Sequence, residues 1–228
     1  MHAGGSQLRT LLVNFKNYPE VMGEGSIRLA LAIRRVSETV DVEAIAAPPT
    51  PMLALVASKT KVQVYSQTVG AKVGDKTTGE ILPEAVLAAG AAGTVLNHSE
   101  SRRPPAELRE LVPRLVSMGM GVCLCSQTSD EAAELAVLGP KYLAIEPPEL
   151  IGSGIAVSKA QPELVQNTVS AVRKTGFVGK ILCGAGIVSG EDVAKAVELG
   201  ADGVLVASSV VKAPDWEAKV RELARSLS

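Results

Sequence analysis

Eight short aliphatic runs recur along this chain of 228 residues, and each is followed by a stretch of helical period. The runs are Leu11–Asn17, Val42–Ala47, Lys61–Ser66, Gly93–Asn97, Gly121–Gln127, Tyr142–Glu146, Lys180–Cys183 and Gly203–Ala207. Val, Ile and Leu crowd them with little polar alternation, the pattern of parallel strands covered on both faces. Helix signals mark the stretches between. Thr50 before Pro51 reads as an N-cap followed by proline at the first helical position. Ser189 and Asp192 have the spacing of a capping box. Residues 27–36 place Ile27, Ala30, Leu31 and Ile33 on one apolar face; Val193, Ala196 and Val197 repeat the pattern. A last helix from about Asp215 carries Val220, Leu223, Ala224 and Leu227 on one side. Strand alternating with helix calls for a parallel sheet. A count of eight at this length, with no Pro/Gly/Ser-rich linker, favours an α/β fold of the (β/α)8 type. Eight parallel strands ringed by helices would then form one domain over residues 1–228.

Composition narrows the function classes. Lys and Arg number 23 against 24 Asp and Glu, a formal net charge of −1, so no basic surplus exists to track a phosphate backbone, and a nucleic-acid partner is not expected. No uninterrupted apolar stretch is long enough for a membrane span, so no membrane partner is expected either. The opening residues His2–Gly5 lack a basic region followed by an apolar run, the pattern of a secretory leader. Three cysteines, Cys123, Cys125 and Cys183, form an odd set that suits a reducing, cytoplasmic compartment. Structural zinc takes about four Cys or His ligands; three cysteines and two scattered histidines make a metal site improbable. Cys123 and Cys125, two apart on one strand, face the same way with Leu124 opposite and read as buried thiols. Cys183, at a strand end, is expected to be partly exposed. Trp216 reads as packing.

In a (β/α)8 barrel the chemistry sits at the C-terminal ends of the strands. There the first run ends in Asn14-Phe15-Lys16, the fourth in Asn97-His98-Ser99-Glu100 and the sixth in Glu146-Pro147. Each residue alone has a bland reading: a solvated lysine, a hydrogen-bonded histidine, a glutamate closing a strand. Together they bring a cation, an imidazole and a carboxylate to one mouth. The later strands end in small residues: Ile151-Gly152-Ser153-Gly154, Gly184-Ala185-Gly186 and Ala207-Ser208-Ser209. Small residues let backbone N–H groups approach an anion, and barrels often hold phosphate after strands seven and eight.

These residues, in order and in register with the eight units, resemble the triosephosphate isomerase family, whose fold is the TIM barrel. Asn14-Phe15-Lys16 looks like the family's first-strand Asn-x-Lys, and His98-Ser99-Glu100 like its His-Ser-Glu. Glu146-Pro147 with Ile151–Gly154 is similar to its catalytic Glu-Pro and mobile lid, and Thr78-Gly79-Glu80 to the tip of its subunit-contact loop. Three departures stand out. Pro148-Glu149-Leu150 replaces the usual lid hinge, Gly186 falls where serine is usual, and Ala207-Ser208 replaces a Gly-Gly pair. Only 20 residues separate Cys125 from Glu146, leaving room for a short fifth helix, as in the compact archaeal branch where tetramers are typical.

The resemblance implies a glycolytic and gluconeogenic isomerase that interconverts dihydroxyacetone phosphate and D-glyceraldehyde 3-phosphate through an enediolate. It implies Glu146 as base and His98 as a neutral electrophile, a division of roles that is the family's own. It further implies Lys16 as fixed positive charge, Asn14 as a donor to the substrate oxygen and Glu100 as a supporting carboxylate. Phosphate would be held by Ile151, Gly152, Gly186, Ala207 and Ser208, under a lid at 147–154. No cofactor is required, and a homotetramer, or a dimer, is implied. Two alternatives stay open: another phosphate-binding barrel enzyme, such as a sugar-phosphate epimerase, and a non-catalytic barrel that self-assembles through Thr78-Gly79-Glu80.

Overall fold

A computed structural model describes residues 8–72, 76–147 and 160–228. Eight strands, β1 Thr10–Asn14, β2 Glu43–Ala47, β3 Gln63–Ser66, β4 Gly93–Leu96, β5 Gly121–Ser126, β6 Tyr142–Ile145, β7 Lys180–Cys183 and β8 Gly203–Val206, close into a parallel barrel in chain order. The seam is the pairing of β1 with β8, Thr10 opposite Gly203 through Val13 opposite Val206. The described helices are α1 Glu24–Ser37, α2 Leu53–Thr60, α3 Pro83–Ala88, α4 Pro105–Ser117, α5 Ser129–Ala136, α6 Pro162–Lys174, α7 Gly190–Glu198, α8 Ser208–Val211 and α9 Trp216–Arg225. The fifth is indeed short, at eight residues.

Each strand is buried on both faces, and the pleat sorts its side chains. Leu12, Ile45, Val95, Cys123, Cys125 and Leu205 fill the barrel interior, while Leu11, Val13, Leu124 and Val204 face the helices. The Ser189–Asp192 capping box is formed, and Asp215 caps α9 by accepting from the Ala218 N–H. Val220, Leu223, Ala224 and Leu227 are buried as the period requires. Trp216 packs against the core, donates to the Val211 carbonyl and lies under the Arg28 guanidinium.

Several boundaries differ from the sequence reading. β1 stops at Asn14 because Lys16 takes a φ of +49°, which no strand accommodates. β3 starts at Gln63 because Lys61, at φ +55°, is the left-handed cap of α2. Thr50 is not a cap: it lies inside a 3-10 turn, Thr50–Met52, and its side chain makes no capping bond. Leu31 is only half-buried; Leu29 takes its place in the core, because the inward stripe of α1 runs Ala30, Ile33 and Val36. Cys183 is fully buried, since its side chain points at the helix layer and not at the mouth.

At the N-terminal end the barrel is closed by aromatic rings and a charge cluster. Tyr65 and Tyr142 meet edge to face with centroids 6.0 Å apart. A Cβ on Gly121 would lie 2.1 Å from the Tyr65 hydroxyl, so that strand must open on glycine. The Glu43 carboxylate accepts from Lys180 Nζ at 2.6 Å, Tyr142 Oη at 2.7 Å, Thr10 Oγ1 at 2.8 Å and Lys141 Nζ at 2.9 Å. Thr10, Glu43, Tyr142 and Lys180 are each the first residue of a strand, so ring closure alone gathers them.

Candidate active site

At the other end of the barrel, the chain leaves β1 through a strained turn that aims Lys16 across the mouth. The Asn14 Oδ1 accepts from the Lys16 N–H at 2.9 Å, and Gln67 Nε2 donates to the carbonyls of Lys16 (2.9 Å) and Ala47 (3.1 Å). A left-handed lysine is uncommon and persists only where its surroundings hold it. Asn14 is itself 4% exposed. The Lys16 ammonium lies 2.9 Å from Glu100 Oε1, on a carboxylate that is mostly in solvent. Such an exposed pair contributes ~0–1 kcal/mol and leaves the cation free to be recruited by another anion.

His98 follows β4 and is buried. Its Nδ1 accepts the Glu100 backbone N–H at 3.1 Å, which leaves Nε2 to carry the ring proton. Nε2 in turn lies 3.4 Å from Glu146 Oε1. Burial, then the nearby Lys16 charge, pushes the imidazole down to about 4, against an opposing pull from Glu100. His98 is therefore neutral at physiological pH: a hydrogen-bond donor rather than a cation.

Glu146 follows β6 at 2% exposure, and its Oε2 has no hydrogen-bond partner among the described residues. Burial raises its carboxyl to about 7, more than the Cys125 thiol, the Lys16 charge and the Ser99 N–H lower it, with Glu100 raising it further. A buried carboxyl that titrates near neutrality, with one oxygen unpaired, is suited to exchange a proton.

Lys16, His98 and Glu146 line one tight cleft of about 70 Å³ with Gly186, Ala207 and Ser208. Gly186 has a φ of +70°, and Ala207 precedes the first turn of α8, where backbone N–H groups have no intrahelical acceptor. Asn14 and Glu100 line the adjoining cavity, again with Lys16 and His98. Ile151 and Gly152, and most of the expected lid, lie outside the described residues. Gln67 supports the site without being singled out from sequence; Cys125 and Asn97, read there only as a buried thiol and as part of the fourth strand-end motif, support it too. Gln67 stands at the end of β3, so the strand-end rule applied to every strand would have found it. The other two act through contacts that no local pattern signals. Among the described residues no cluster of His, Cys, Asp or Glu could hold a metal ion. Nor is any described helix long and apolar enough to cross a membrane.

The arrangement can take a proton from carbon with a carboxylate, polarise an adjacent oxygen with a neutral imidazole, and hold an anionic group beside a lysine. Comparison with known proteins agrees. The family described as triosephosphate isomerase matches residues 9–223. The chain is 42% identical over 215 residues to the triosephosphate isomerase of Methanosarcina acetivorans, covering 94% of this chain and 97% of that one. Similarity to the Caldivirga maquilingensis enzyme is 42% over 217 residues (95% and 96%), and to that of Methanocaldococcus jannaschii 40% over 213 (93% and 97%). With the closed eight-strand barrel and the site at its mouth, these matches settle the kinship: the chain belongs to the triosephosphate isomerase family.

Proposed function

We propose that the family's reaction, the interconversion of dihydroxyacetone phosphate and D-glyceraldehyde 3-phosphate, is carried out here by Glu146 as the base that shuttles a proton between the two carbons. His98 Nε2–H polarises first the carbonyl and then the developing enediolate oxygen. Lys16 supplies positive charge to that oxygen and to the phosphate, Asn14 donates to the substrate oxygen, and Glu100 aims His98 and Lys16. Backbone N–H groups at Gly186, Ala207 and Ser208, with Ile151 and Gly152, hold the phosphate. The segment 147–154 closes as a lid that excludes water. The observation that carries this reading is the buried Glu146 carboxylate, half unpaired, 3.4 Å from an imidazole nitrogen whose proton is fixed by a bond on the far side of the ring.

A coupled assay of glyceraldehyde 3-phosphate isomerisation tests it. Activity without added metal, with inorganic phosphate competing against substrate, is the expected result; an epimerase-like or idle barrel gives no triose isomerisation. The pH profile adds a signature. Because the base must be ionised, kcat/KM of the free enzyme falls tenfold per unit as pH drops below about 7, with no second bend from His98 until about 4. A profile flat from pH 5 to 8 would remove Glu146 from the role.

The assembly proposed is a homotetramer, with a dimer as the smaller option, in which residues 70–80 of one copy enter a neighbour. Two features support it. The cavity beside Lys16, lined also by Thr50, Gln67 and Ser101, is open at the mouth and close to 660 Å³. Val116, Val137 and Val178 stand exposed where α4, α5 and α6 turn back toward the next strands, all at the opposite end of the barrel. Light scattering at micromolar concentration is expected to give four times the chain mass, and a monomer defeats the proposal. The chain acts as one barrel domain in the cytoplasm, a setting that the buried thiols of Cys123 and Cys125, neither in a disulfide, support.

A further inference from the structure

We infer that Asn97 is a positioning residue for the reaction, holding His98 at a fixed distance from the strand against which Glu146 rests. The inference rests on the roles proposed above for His98 and Glu146, and goes beyond them. β4 ends at Leu96, opposite Leu124, and the next residue turns the chain at a φ of +61°. Asparagine is among the few residues besides glycine that adopt this conformation readily. β4 thus provides no further strand amide for the buried Cys125 carbonyl. Asn97 Nδ2 supplies the missing donor at 2.9 Å, from a side chain only 1% exposed.

The rest of the amide closes the loop that carries His98. Oδ1 accepts the Arg103 N–H at 3.0 Å, tying the end of the loop to its start. The Asn97 carbonyl accepts from Arg102 at 3.3 Å, and Arg102 is paired with Glu131 of α5. Glu131 also accepts from the Gln127 N–H at 2.7 Å. Inside this frame Ser101 N–H donates to the His98 carbonyl at 2.8 Å, and Glu100 N–H to its Nδ1. Asn97 therefore grips, through the backbone, the same Cys125 whose thiol lies beside the Glu146 carboxylate. One side chain fixes both the height of the imidazole and its spacing from the base. Reacting groups displaced by ~1 Å lose about a hundredfold in rate, so a bond at this point carries weight although it touches no reacting atom.

Asn97→Gly separates the two contributions. It keeps the left-handed turn free of strain and removes only the amide, so the variant folds even where Asn97→Ala does not. The expected result is a kcat at least tenfold below the parent, with KM and inhibition by inorganic phosphate within threefold. Asn97→Ala, which also strains the turn, is expected to be slower still. The second readout is independent of turnover. The chain has two histidines, so ¹⁵N ring shifts of His98 are readily assigned. The parent is expected to show a single tautomer protonated at Nε2, and Asn97→Gly mixed tautomers. A kcat within threefold of the parent, or an unchanged His98 tautomer, overturns the inference. If instead Glu146→Gln is as active as the parent, the catalytic roles fail, while the tautomer of Asn97→Gly still decides whether Asn97 positions His98.

Discussion

Glu146→Gln is expected to lower the isomerase rate by at least ~10²–10⁴ while binding of phosphate changes little, because the substitution keeps shape and removes the base. Glu146→Asp is expected to be slow as well, since it withdraws the carboxylate by one methylene from a site where ~1 Å matters. Glu134→Gln, on the exposed face of α5, is the silent control. Stability should move the other way. The folded carboxyl is raised to about 7, above the ordinary carboxylate range. Below pH ~4.3 it is protonated in both folded and unfolded chains and costs nothing. As pH rises through 7 the unfolded chain has already ionised, and the fold carries a buried charge that it disfavours. Glu146→Gln is therefore expected to unfold at a higher temperature than the parent at pH 8 and to show no such gain at pH 4. A variant within tenfold of the parent rate, or one less stable at pH 8 than at pH 4 relative to it, would show that the wrong carboxylate has been named.

Glu43→Ala is expected to be the largest purely structural lesion. Lys180 is 6% exposed, and its carboxylate partner Glu43 is half-buried; removing one member of a fully buried pair costs about 3–5 kcal/mol, which is the upper bound here. For a chain of this size that lowers the thermal midpoint by up to roughly 20 °C. Burial alone would raise the Glu43 carboxyl, but bonds from Lys180, Lys141, Tyr142 and Thr10 outweigh it and hold the group down at about 2. Its contribution is thus complete above the unfolded pKa near 4.3 and is lost as pH falls toward 2. The parent should destabilise across that window, and Glu43→Ala should lose that part of the slope. The double change Glu43→Gln with Lys180→Met is expected to recover most of the loss, since neutral replacement of both partners leaves no buried charge stranded. Activity of the folded variants at 25 °C should be unaffected, because the cluster lies at the end of the barrel remote from His98. An undiminished midpoint in Glu43→Ala would mean that the pair is not buried in solution.

The strand pattern and the strand-end residues were legible without coordinates because they are local. A strand covered on both faces needs aliphatic side chains at successive positions, and Leu11–Val13 or Gly203–Val206 state that whatever surrounds them. Eight such runs alternating with helical stretches leave little besides a closed parallel sheet. The rule that chemistry lies at the strand ends then points to Lys16, His98 and Glu146. Family resemblance, carried by the order of these short motifs, supplied the reaction.

What closure brings together was not legible. Glu43 and Lys180 stand 137 residues apart, and nothing near either predicts their meeting; both begin strands, and only the register around the ring places them side by side. Cys183 reads as a strand end near the mouth, yet its burial depends on which way the pleat faces, and the helix layer covers that side. Asn97 reads as one more residue of a motif until the truncation of β4 leaves the Cys125 carbonyl without a strand donor. The proton affinities of His98 and Glu146 follow from desolvation, which depends on every atom that excludes water from them and not on their neighbours in the chain. Sequence by itself determined the period, the fold and the cast of reactive groups, because those are properties of short segments. Tertiary structure alone decided distance, tautomer and charge state, because those depend on which segments meet and on how completely water is removed where they do.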